Sequence, residues 1–240
     1  MMGTSTPYSA PKTPEWARAK STMTRFVNQS GVGPTQLSDV MSAYVRALGG
    51  AKHAASSSSA SRAVAQKLGG FLSSMSRDGL GEALRQVGLG DLVGQDISAT
   101  LSALVDRLAG TGNTLDEVVA RRAATDVLVE VLESAEADAE IDELYGQGLR
   151  QERIEELLER FVSLSIYERL LQHLGDRVDN ASITTAEKQR MEGEMRDFVE
   201  QNTRVHFGNI DVLSLDWEGD AGRAFIDKIF EDAYEVFAEL

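Results

Sequence analysis

Apolar residues recur at three- and four-residue intervals over almost the whole of this chain, a spacing that commits it to helices packed on helices. The first helix is read from Pro14 to about Asn28. Thr13 is its N-cap, Pro14 its first residue, Glu15 an acid in its first turn, and Trp16, Ala19, Met23, Phe26 and Val27 lie on one side. A second spans about Ser38 to Leu48 and stops at Gly49-Gly50. The serine run that follows is either a flexible connection or the start of a third helix through Val64, Leu68, Phe71, Leu72 and Met75. Gly69-Gly70 inside that pattern costs helix stability and implies close packing, a kink or the absence of a helix there. A short helix over Leu80–Val87 leads into Gly88-Leu89-Gly90-Asp91.

The pattern strengthens from residue 96. Asp96 or Ser98 starts a helix that reaches Leu108. Thr114 and Glu117, and again Thr184 and Glu187, have the spacing of a capping box, in which hydroxyl and carboxylate satisfy each other's backbone amides. These boxes open helices expected to reach about Ala135 and about Val205, and a further helix is read from about Arg150 to Val178. Asn209 to Trp217 is the one strand-like window; lacking a partner strand, it is expected to be a buried extended loop. Residues 220–239 form the last helix, with Phe225, Ile226, Ile229, Phe230, Ala233 and Phe237 on one face. The expected fold class is all-α: a multi-helix bundle of seven to nine helices with a disordered N-terminal tail.

Charge divides the chain. Its 24 basic and 38 acidic residues give a net charge of −14, but residues 1–90 hold ten Lys and Arg against four acids, a net of +6 beside −20 for the remainder. All four prolines lie in the first 34 residues. The expected organisation is a flexible tail over 1–13, a basic, Ser/Gly/Ala-rich helical part over 14–90 and an acidic helical bundle over 91–240. One domain with a polarised surface and two separate modules both fit this composition.

Composition also excludes. With no cysteine there is no disulfide framework, thiolate metal site or cysteine nucleophile. No apolar run approaches the roughly 18 residues a membrane span needs, and the first residues have no apolar signal region. The charge disfavours generic nucleic-acid binding. The expectation is a cytoplasmic chain that touches neither membrane nor nucleic acid.

Catalytic patterns are few. His53, His173 and His206 lack metal-ligand spacing, and Gly88-x-Gly90-x-x-x-Gly94 has neither the spacing nor the preceding strand of a phosphate loop. The dense carboxylates from Glu130 to Glu143 read as a solvated face; a catalytic pair there would need a cleft that separates two pKa values. No catalytic residue, metal site or cofactor is expected. The unusual segment is Met2-Gly3-Thr4-Ser5-Thr6. Loss of the methionines would expose the Gly3 α-amine, an unhindered nucleophile with an ordinary pKa of about 7.7–8.0. Pro7 stands where the myristoylation pattern needs Ser or Thr.

The run Gly3-Thr4-Ser5-Thr6-Pro7-Tyr8-Ser9-Ala10-Pro11, followed by Pro14-Glu15-Trp16, resembles the start of QatB proteins. So do Ala65-Gln66-Lys67-Leu68-Gly69-Gly70-Phe71-Leu72, Gly79-Leu80-Gly81-Glu82-Ala83-Leu84-Arg85 and Thr114-Leu115-Asp116-Glu117-Val118-Val119-Ala120-Arg121. This family is the small helical component of the bacterial Qat anti-phage system. The resemblance implies a non-enzymatic member of a four-protein operon, beside a P-loop ATPase, a QueC-like 7-deazapurine enzyme and a TatD-like nuclease. It further implies Gly3 as the acceptor of a deazaguanine, with Thr4, Ser5 and Thr6 as the threaded recognition segment. The alternative is a helical adaptor for the ATPase whose tail carries no modification. The doubled Met1-Met2 departs from the family's single-methionine start.

Overall fold

A computed structural model describes residues 11–29, 33–145, 149–203, 205–208 and 210–240, without the side chains of 134–145. It is 77% helical and has no strand among the described residues. The helices are α1 (Pro14–Asn28), α2 (Leu37–Ala47), α3 (Ala51–Ser56), α4 (Ser59–Gln86), α5 (Ile97–Ala109), α6 (Leu115–Tyr145), α7 (Gln151–Leu174), α8 (Asp176–Asp179), α9 (Thr185–Asn202) and α10 (Asp220–Glu239). Of these ten, eight have seven residues or more. A 3₁₀ turn, Gly90–Leu92, follows α4.

The N-terminal boundaries follow local chemistry. The Thr13, Asp96 and Thr184 side chains accept from the amides of Trp16, Ala99 and Glu187, and the Thr114–Glu117 and Thr184–Glu187 pairs close as expected. Most differences lie at C-terminal ends. α6 continues to Tyr145 instead of stopping near Ala135, because no glycine or proline occurs before Gly146. The helix expected to reach Val178 breaks at Gly175, leaving α8 as a separate turn. α9 ends at Asn202, short of Val205: Asn202 Nδ2 donates to the Phe198 carbonyl and Thr203 Oγ1 to that of Val199, taking up the last carbonyls. The strand-like window is not extended throughout. Asp211 accepts from Leu213 N and Ser214 Oγ and turns the chain at Val212–Ser214.

The serine run resolves as a helix-to-helix junction, and Gly69-Gly70 resolves as close packing. The Trp217 ring lies against α4 so tightly that a Cβ on Gly69 would sit 2.3 Å from Cζ3. Trp217 Nε1 donates to Ser73 Oγ (2.8 Å) and to the Val212 carbonyl (3.0 Å), and the ring meets Phe225 of α10 edge-on at 5.8 Å. The bend in α4 comes ten residues later, at Gly79, with φ +79° and ψ 165°. The stretch read separately as Leu80–Val87 lies beyond it.

α7 is the central element. Every residue from Phe161 to Tyr167 is buried, as in a helix with neighbours on all sides, here α4, α6, α9 and α10. The buried core runs from Trp16 to Phe237, so residues on both sides of position 90 contribute to it. α1 packs on α2, and α10 packs on both α2 and α3, so the last helix lies against the second and third.

Candidate functional site

Gly3, Thr4, Ser5 and Thr6, the residues singled out by sequence, lie outside the described residues. The described chain begins at Pro11, on the rim of a cavity of about 600 Å³. Pro11 and Thr13 are exposed, while Trp16, one turn into α1, is 4% exposed. The Thr13 cap fixes this transition from exposed chain to buried helix.

The floor of the cavity is aromatic and cationic. Trp16 meets the His173 ring edge-on at 5.3 Å and the Tyr44 ring at 6.1 Å. Tyr44 Oη and His173 Nδ1 share a buried hydrogen bond of 2.9 Å. Burial, and then the nearby positive charge of Arg169, push the His173 pKa down to about 3, so its imidazole is neutral near pH 7.

Arg169 ties three helices together. One terminal nitrogen donates to the Ala54 carbonyl (2.9 Å), Ser58 Oγ (2.7 Å) and Tyr234 Oη (3.3 Å); the other donates to Ser57 Oγ (2.9 Å). A guanidinium out of water needs its donors satisfied, and here serine hydroxyls, a phenol and a helix-terminal carbonyl satisfy them. Across the same junction, Asp116 of α6 accepts from the Ala60 amide (2.6 Å) and Ser59 Oγ (3.3 Å), supplying a cap to α4 from another helix. Sequence reasoning missed this network. Its signal is the serine run, whose hydroxyls have partners more than fifty residues away.

This floor offers shape, aromatic edges and fixed positive charge. Among the described residues no group of three or more His, Asp or Glu side chains is placed to hold a metal ion. The carboxylates expected to form a solvated face are partly drawn into pairs: Glu130 pairs with Arg153 and Arg160, and Arg196 with Glu200 and Asp126, joining α6, α7 and α9. Glu133 is exposed, and the side chains from Glu136 to Glu143 lie outside the described residues. His53 lines the same cavity from α3, and His206 is exposed in the loop beyond α9.

A family model described as Qat anti-phage system associated protein QatB matches residues 49–237. No curated protein and no solved structure matches the chain significantly.

Proposed function

The chain belongs to the QatB family, and is therefore a component of an anti-phage defence system; from that premise we propose that it is a cytoplasmic, non-enzymatic component whose N-terminal Gly3 is recognised and modified by a QueC-like 7-deazapurine enzyme. The observation that carries this reading is where the folded body starts. The described core begins at Trp16, and Pro11, Lys12 and Thr13 before it are exposed. An adduct at Gly3 leaves every described core contact in place. The neutral α-amine supplies the lone pair for the new bond to an electrophilic carbon of the deazaguanine, which the partner enzyme has activated. The activating group leaves with its bonding pair, and the amine proton passes to solvent. Thr4, Ser5 and Thr6 form the segment the enzyme reads.

Intact-mass measurement after co-expression with the QueC-like enzyme, the P-loop ATPase and the TatD-like nuclease tests this. The expected result is a mass increase confined to the N-terminal peptide and lost in Gly3→Pro. An unmodified Gly3 terminus beside an active QueC-like enzyme refutes it.

A second reading is a helical adaptor for the ATPase with no tail modification. The family match favours it, since residues 49–237 cover the helices from α3 onward and not the tail. Retention of ATPase binding and of phage protection in Gly3→Pro supports this second reading over the first.

A further inference from the structure

We infer that the cleft between α1 and α2 is an oxyanion site that takes a phosphate group. The cleft has a volume of about 340 Å³, and Arg18 and Arg25 of α1 and Arg46 of α2 line it. Arg18, Thr22 and Arg25 are spaced four and three residues apart, so they share one face of α1. Ser42 and Arg46, four apart on α2, supply the opposite wall.

Charge balance points to the ligand. Every ion pair among the described residues lies at or beyond Arg62, and none involves Arg18, Arg25 or Arg46. Asp39 is the one acidic side chain in the lining, and its carboxylate already accepts from the Gln36 amide (2.8 Å) as the cap of α2; Leu240 adds the α-carboxylate of the last residue to the same lining. With both carboxylates counted, the cleft holds an excess of one positive charge, which a bound oxyanion neutralises. Arginine forks present paired N–H donors that match phosphate oxygens. Thr22 and Ser42 add hydroxyls that are buried, and Thr22 Oγ1 accepts from Arg25 (3.3 Å), which holds that fork against the wall of the cleft. The cavity sits at the low end of the size range of small-molecule sites. α1 and α2 precede the region the family model matches, so membership of the family assigns this cleft nothing.

The test is calorimetric titration of the full chain with inorganic phosphate, pyrophosphate and a short poly-glutamate peptide, at constant ionic strength with chloride as the balancing anion. The expected result is saturable one-site binding of phosphate, with pyrophosphate at least as tight and the peptide weaker. Arg25→Gln and Arg46→Gln should each weaken phosphate at least tenfold while circular dichroism and the melting temperature stay unchanged. All three arginines are exposed, so either variant alone keeps the test intact. No saturable binding against chloride, or wild-type affinity in both variants, overturns the assignment. Tighter binding of the peptide than of phosphate also overturns it and reassigns the cleft to an acidic protein segment.

Discussion

Alanine in place of glycine inside a helix ordinarily stabilises by about 1 kcal/mol, yet at Gly69 the structure reverses the sign. A Cβ there would lie 2.3, 2.4 and 2.6 Å from Cζ3, Cη2 and Cε3 of Trp217, where unstrained carbon contacts lie at about 3.5–4.0 Å. Either α4 retreats or the indole does. Overpacking of this kind costs about 1–3 kcal/mol. The indole cannot slide without loosening its bonds to Ser73 Oγ and the Val212 carbonyl, and leaving such buried groups unpaired costs a further ~1–3 kcal/mol. Against the ~1 kcal/mol of propensity, Gly69→Ala should lose roughly 3 kcal/mol. Gly70 is the internal control. Its Cβ would meet Trp217 Cβ at 3.4 Å, an ordinary contact, so Gly70→Ala should be neutral or stabilise by up to ~1 kcal/mol. Urea unfolding followed by circular dichroism and tryptophan fluorescence measures both. A Gly69→Ala protein as stable as the wild type, or a Gly70→Ala protein equally damaged, refutes the reasoning.

The remaining predictions concern charge, backbone and caps. Because the folded pKa of His173 is about 3, below the ordinary 6.5, its contribution to stability is complete above about pH 6.5. That contribution erodes as pH falls towards 3, so urea midpoints of the wild type should drop between pH 7 and 4 more steeply than those of His173→Gln. Gly79 has nothing within 4 Å of a built Cβ but holds a φ of +79° with ψ 165°; Gly79→Ala should therefore cost about 1–3 kcal/mol through backbone strain alone, read from the same melts. Arg169→Met removes the donors to Ser57, Ser58, Tyr234 and the Ala54 carbonyl and should lose about 2–4 kcal/mol, with hydrogen exchange rising at the start of α4. Thr184→Ala opens the capping box of α9 and should cost about 1 kcal/mol in the same unfolding assay.

What the sequence disclosed and what it withheld divide along physical lines. The starts of α1, α5, α6 and α9 are written in a cap and the residue three positions on, so Thr13, Asp96, Thr114 and Thr184 announce them locally. α6 runs on to the residue before Gly146, whereas the end of α9 carries no glycine; α9 stops because Asn202 and Thr203 turn back onto its carbonyls, a choice that depends on the loop beyond. Gly69-Gly70 was visible as an anomaly, but its cause, Trp217, lies far along the chain. The cavity floor was invisible for the same reason. Arg169, His173 and Tyr44 come from α7 and α2, and nothing in their immediate neighbours marks them. The role proposed for Gly3 was legible for the opposite reason: it rests on a free terminus and requires no fold.

The serine run has a consequence for how this chain can evolve. Tracts of one repeated residue usually drift in length, since one more copy of the residue changes little. Ser56–Ser59 is anchored on both flanks, with Ser57 and Ser58 bonded to Arg169 and Ser59 and Ala60 to Asp116. An inserted serine would shift one flank by one residue relative to the other, about 3.8 Å of chain between Cα atoms. One anchor would then be abandoned, leaving either a guanidinium or a helix start without its partners. The tract is thus a spacer of set length, tolerant of little in number even where its composition looks most expendable.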